Sequence, residues 1–175
     1  MTRCRVPPQH GSTGDTAAAG RAVRLGSVQA VDPLLAELID SLVTTPAIVT
    51  DEHFKVIGSN ALARAVSPSL AVGVDLAEAT FVNRSAHRTL ADWDLVSARM
   101  AELLREAAGE IGGLPPSHAL AVRMDHPEVG MLEITYELMR LSGTAQSVIM
   151  GHTEPGSASE QRLFALAAHL HSDEN

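Results

Sequence analysis

The chain has 175 residues, a formal net charge of -8 and a single cysteine, Cys4. That length fits one compact domain with a tail. The excess of acid disfavours direct binding to phosphate backbones, and one cysteine excludes both an internal disulfide framework and a cysteine-based zinc site. Hydrophobic residues reach 45% while aromatics are only 3%, so the core must be built from aliphatic side chains and methionine, which hold less fixed shapes than rings.

Residues 1–30 carry Pro7-Pro8, Gly11, Gly14, Gly20 and Gly26 without any sustained apolar period. They read as a flexible leader, because such a segment buries too little surface to offset its ordering entropy. No signal-peptide run opens the chain, and no stretch approaches the ~20 apolar residues of a membrane span; a cytoplasmic protein is expected. Lys55 is the only lysine, a codon bias suggesting a GC-rich bacterial source.

Order is expected over 31–171, with 172–175 as a tail. Asp32-Pro33 makes a sound helix start, followed by the stripe Leu34, Leu35, Leu38, Ile39 and Leu42. Ala47 to Thr50 and Phe54 to Ile57 read as two strands around the turn Asp51-Glu52-His53, with Gly58 breaking the second. A short helix follows from Asn60, its cap, to Val66, and another piece spans Asp75 to Val82. Thr89 and Asp92 have the spacing of a capping box. It would open a long helix with Trp93, Val96, Met100, Leu103, Leu104, Ala107 and Ile111 on one face. Arg99, Glu102, Arg105 and Glu106 take its other side. Gly112-Gly113 and Pro115-Pro116 end it.

Strands return with Leu120 to Met124, then Leu132 to Leu138 after the turn His126 to Gly130, then Ser147 to Met150. Ser157 and Glu160 form a second capping box before a last helix bearing Leu163, Phe164, Ala167 and Leu170. The order is helix, two strands, several helices, three strands, helix. It lacks the strand–helix alternation of a parallel sheet. The fold class is therefore α+β: a PAS-like five-stranded antiparallel sheet with helices packed on one face.

Four runs carry a resemblance: TPAIVTDEHFKVIGSNALARAV (Thr45 to Val66), ADWDLVSARMAELLREAAG (Ala91 to Gly109), HPEVGMLEITYE (His126 to Glu137) and TEPGSAS (Thr153 to Ser159). Together they resemble the ligand-binding domain of MmyB-like transcriptional regulators of actinobacteria and their relatives. That resemblance implies a PAS-like sensing domain that takes a small apolar molecule, a fatty acid first, between sheet and helices. The family places a helix-turn-helix before this domain, and the thirty leading residues are fewer than the ~55–60 of such a reader. Two further departures are Ser59, where the family usually has an aromatic residue, and a short Gly109 to His118 segment.

The candidate ligand-binding residues fall in three groups. Phe54, Val56, Asn60 and Leu62 come from the first hairpin and its following helix; Phe81, Arg88, Trp93, Met100 and Leu104 from the helical middle; Met124, Leu132, Ile134, Tyr136 and Ile149 from the later strands. Ile48 and Leu120 complete the wall. Taken singly, each apolar residue reads first as plain core, and the ligand reading rests on the set. Arg84, His87 and Arg88 are candidates for a ligand's carboxylate, and Asn60 reads first as a helix cap and second as a ligand contact.

No cofactor, metal or catalytic residue is expected. His126 with Glu128 and His152 with Glu154 lack both HExxH spacing and a ligand cluster, and no P-loop, GxGxxG or GxSxG occurs. Three readings stand at this point. The first is a non-enzymatic sensing domain. The second is a ligand-free module pairing as a homodimer or with a full-length regulator. The third is an enzyme with a lipid-like substrate, using His126 or His152.

Overall fold

The computed structural model describes residues 30–83, 89–109 and 119–173. Helix α1 (Pro33–Ser41) starts as its sequence dictates: Asp32 accepts from the Leu34 amide and Pro33 occupies the first turn. Strands β1 (Ala47–Thr50) and β2 (Val56–Ser59) pair antiparallel, and α2 (Ala61–Val66) follows. Ser67 caps a single 3-10 turn at Pro68–Leu70, and Asp75 caps α3 (Leu76–Phe81). Next come α4 (Trp93–Ala107), β3 (Leu120–His126), β4 (Gly130–Arg140), β5 (Ser147–His152) and α5 (Ala158–Asp173).

The five strands lie in the order β2-β1-β5-β4-β3, every neighbouring pair antiparallel. The order brings the first and last strands together at the centre and leaves the helical middle of the chain to cross one face. This is the expected α+β, PAS-like sheet. Strand alternation sets its faces: Val122, Met124, Leu132 and Ile134 are buried while Arg123, Asp125 and Glu133 are exposed.

One helix stands apart from the expected single covered face. Ile39 of α1 packs with Ala47, Val49 and Val148, which alternate with Ile48 and Ile149 and so point to the opposite side. The reason lies in β1 and β5, whose runs AIV and VIM are apolar on both faces and need cover on both. Asn60 holds this arrangement. Its Oδ1 accepts from the Ala47 and Ala63 amides at 3.1 and 2.9 Å, and its Nδ2 donates to the carbonyls of Ile39, Leu42 and Thr45.

Four local expectations are corrected. Strand β2 begins at Val56, because Phe54 sits in the left-handed region (φ 62) in a turn closed by Asp51 Oδ1 on the His53 and Lys55 amides. Gly58 does not break β2. It pairs with Val49 inside the strand, where an added Cβ would meet Val31 Cγ2 at 3.0 Å. Asp92, not Thr89, stands at the N-cap of α4 and makes no side-chain cap bond, because both its carboxylate oxygens are taken by Arg123. That helix ends at Ala107, short of Ile111, and Gly112-Gly113 and Pro115-Pro116 lie outside the described residues. The second capping box forms: Ser157 Oγ accepts from the Glu160 amide, and Glu160 accepts from the amide of Gly156.

Candidate functional site

Between the sheet and helices α3 and α4 lies a cavity of about 450 Å³, within the ~300–1,000 Å³ typical of small-molecule sites. Its floor is the row Ile48, Ile149, Leu138, Tyr136 and Leu120, one side chain or two from each of β1, β5, β4 and β3. Met124 and Val122 continue it along β3. One wall is α4, through Val96, Arg99, Met100 and Leu103; the other is Val66, the 3-10 turn and α3, through Leu76, Ala79 and Thr80.

The geometry of α4 explains the gap beneath it. Asp92, just before the helix, binds Arg123 of β3 through two contacts of 2.6 and 2.7 Å. Glu106, in the last turn, binds Arg140 at the end of β4. The helix is thus braced to the sheet at both ends, and the cavity lies under its middle. A third tie runs sideways, the Trp93 indole N–H donating to the Thr80 carbonyl at 3.0 Å and holding α4 to α3. The hydrogen bond from Arg123 lowers the Asp92 pKa against a smaller opposing effect of burial, and the same bond raises that of Arg123.

Of the candidate residues, Met100, Met124, Tyr136 and Ile149 line the cavity, with Ile48 and Leu120. The others sit elsewhere. Phe54 and Val56 pack beneath α3 beside Ile48 and Leu76, and Leu104 leans on the same cluster. Leu62, Leu132 and Ile134 are buried under α5 with Leu163 and Leu166. Phe81 is 43% exposed, Trp93 makes the tie just described, and Asn60 caps α2 while joining α1 to β1. Arg88, with Arg84 and His87, lies outside the described residues.

Arg99 corrects the sequence reading, which set it on the solvent side of α4. Its side chain is 13% exposed and lines the cavity, and among the described residues it is the only arginine or lysine to do so. The spacing held the signal: Arg99 is three residues after Val96 and four before Leu103, at the edge of the buried stripe. It pairs at 2.9 Å with Glu102, which is 45% exposed.

Burial raises the Tyr136 pKa far above the ordinary phenol range, so its hydroxyl stays a neutral donor. At the far end of the cavity His126 is buried, Nε2 meeting the Ala65 carbonyl at 2.9 Å and Nδ1 facing the Glu128 amide. Both ring nitrogens are thereby engaged. His152 is exposed and lies 4.0 Å from Glu137 on the opposite face of the sheet, so the two histidines do not share a cleft. Among the described residues no group of three or more His, Cys, Asp or Glu could hold a metal ion, and no helix is long and apolar enough to cross a membrane.

Comparison with known proteins gives one family match, over residues 31–121, described as MmyB-like transcription regulator ligand binding domain. No curated protein sequence matches the chain. Among solved structures, the chain is similar to the photoactive yellow protein domain of the sensor histidine kinase Ppr from Rhodospirillum centenum, at 13% identity over 67% of this chain and 99% of that one, TM-score 0.42. It is also similar to the PAS domain of an HTR-like protein from Haloarcula marismortui, at 11% identity over 68% and 93%, TM-score 0.39. A third is the PAS domain of nitrogen regulation protein NR(II) from Vibrio parahaemolyticus, at 13% identity over 70% and 100%, TM-score 0.36.

Proposed function

This chain belongs to the family of MmyB-like transcription regulator ligand binding domains, and from that premise we propose that its cavity takes a fatty acid whose occupancy regulates transcription. The observation that supports this reading is a mostly aliphatic space of about 450 Å³ bordered by one half-buried arginine, Arg99. A hydrocarbon tail over the floor gains ~0.8 kcal/mol per buried methylene. A carboxylate meeting Arg99 makes a charge-assisted hydrogen bond, and Glu102, nearly half in solvent, is free to turn outward. Regulation then follows from differential affinity: a molecule that fits better when α4 is displaced shifts the domain toward that state.

Solvent extraction of the purified chain followed by mass spectrometry is expected to release a fatty acid, and dodecanoic acid is expected to bind. Arg99→Gln should weaken dodecanoic acid roughly 10- to 100-fold while leaving dodecanol unchanged, the contribution of one hydrogen bond to a charged group. No lipid in the extract and no binding of either probe would sink the reading.

A second reading is favoured by Leu34 and Leu38, four residues apart on α1 and 76% and 56% exposed. They give that helix an outward apolar edge suited to pairing with another copy or with a full-length regulator. Sedimentation of the chain and of its Leu34→Glu, Leu38→Glu variant tests it; a monomer in both cases removes self-pairing.

A further inference from the structure

One polar atom beside the cavity floor has no partner among the described residues. Tyr136 stands near the middle of the sheet, opposite Leu120 on one side and Gly151 on the other. Tyr136 lines the cavity, yet its hydroxyl is shut off from solvent and has no hydrogen-bond partner among the described residues. Folded proteins retain few such groups, because a buried donor without an acceptor forfeits the bond it made in water. The space around the ring is specified by sequence: a Cβ at position 151 would stand 3.0 Å from Tyr136 Cε1 and 2.7 Å from Ile134 Cγ2. Phenylalanine would fill the same space without the unmatched donor.

We propose that the Tyr136 hydroxyl is a recognition group whose partner is an oxygen acceptor inside the hydrocarbon body of the ligand. The inference rests on the cavity reading above and narrows it. Arg99 on α4 addresses the acidic head, and Tyr136 on β4 addresses a second oxygen, a ketone or hydroxyl further along the chain. The preferred class is an oxygenated fatty acid over a plain saturated one. Because the phenol tip is enclosed, that contact requires the lining to shift. Met100 and Met124, unbranched and adaptable, make such a shift inexpensive.

The test is a titration of the full chain and of Tyr136→Phe with dodecanoic acid and with a series of analogues, each bearing one ketone at a different interior carbon. At least one ketone acid should bind the natural chain roughly 3- to 10-fold more tightly than dodecanoic acid, the worth of one neutral hydrogen bond. Tyr136→Phe should erase that preference, so that the ketone acid and dodecanoic acid bind the variant equally, and it should melt no lower than the natural chain. No preference in the series, a preference that survives Tyr136→Phe, or a lower melting temperature in the variant overturns the role of the hydroxyl and leaves the cavity reading standing. Failure of every probe to bind the natural chain overturns the cavity reading and this inference with it.

Discussion

Val122 and Met124 of β3 belong to two different interiors. On one side they join Leu132 and Ile134, both fully buried, under α5 and α2. On the other they border the cavity under α4, whose Met100 and Leu103 retain 9% and 8% exposure. Strands β3 and β4 serve both interiors, so the difference does not come from the sheet. It comes from how each helix is held to it. Helix α5 is stitched along its first turns, Ser159 Oγ accepting from the Glu133 amide and Arg162 donating to the Met131 carbonyl, and it presents the small Ala167 where close approach is needed. Helix α4 is tied to the sheet by the ion pairs at its ends, while its middle meets it through the apolar side chains Met100 and Leu103, clustered with Ile48 and Leu138. A fold of one sheet and a few helices can thus combine a filled half with a hollow one.

The largest effects should fall on the packed half. Ile134→Ala is expected to cost ~2–5 kcal/mol, the range for emptying a well-packed site. Met100→Ala should cost about 2 kcal/mol or less, since a side chain beside a void has already forfeited part of its contacts. Chemical denaturation of the two variants measures the difference, and equal losses would break the contrast. Enlarging a small side chain should keep the same order of harm. Ala167→Leu is expected to destabilise by ~1–3 kcal/mol through overpacking. Ala79→Leu, which grows into the cavity, should stay within about 1 kcal/mol of the natural chain and lose dodecanoic acid binding.

The smallest effect is local and acid-dependent. Because the Asp92 pKa is lowered in the folded chain, its contribution is fully present at neutral pH and is lost as pH falls through that lowered value, below the ordinary aspartate range. Amide exchange at the start of α4, taken relative to its intrinsic rate at each pH, should therefore quicken in acid before the packed half opens. Arg123→Gln should show the same quickening at neutral pH. Uniform exchange across both halves would mean that the brace does not hold this end of α4.

Much of the fold was legible because alternation and helical spacing are printed in the residues. Leu132, Ile134, Tyr136 and Leu138 announce β4, and the Asp32-Pro33 and Ser157/Glu160 caps fix two helix starts. What was not legible depended on tertiary partners. Asp92 forsakes its capping role because Arg123, thirty-one positions away, claims both oxygens. Gly58 stays within β2 because Val31 needs the room. For the candidate site, parity identified the side chains facing the helices, including Tyr136 and Ile149. It could not separate those under α5 from those under α4, since that follows from how closely each helix approaches. Arg99 was missed because a charged side chain at the edge of a stripe was assigned to water, although its aliphatic stem suits a half-buried wall.

Strand β1 carries a further consequence. Ile48 forms part of the cavity floor, while Ala47 and Val49, its immediate neighbours, rest against α1 on the reverse side. The two surfaces are separated by the thickness of one peptide chain, and Asn60 pins that chain to the carbonyl end of α1. Such a strand is a party wall: neither room can be rearranged without moving the other's plaster. Displacement of β1 from the cavity side would therefore press Ala47 and Val49 against α1 directly, with no relay of intermediate side chains.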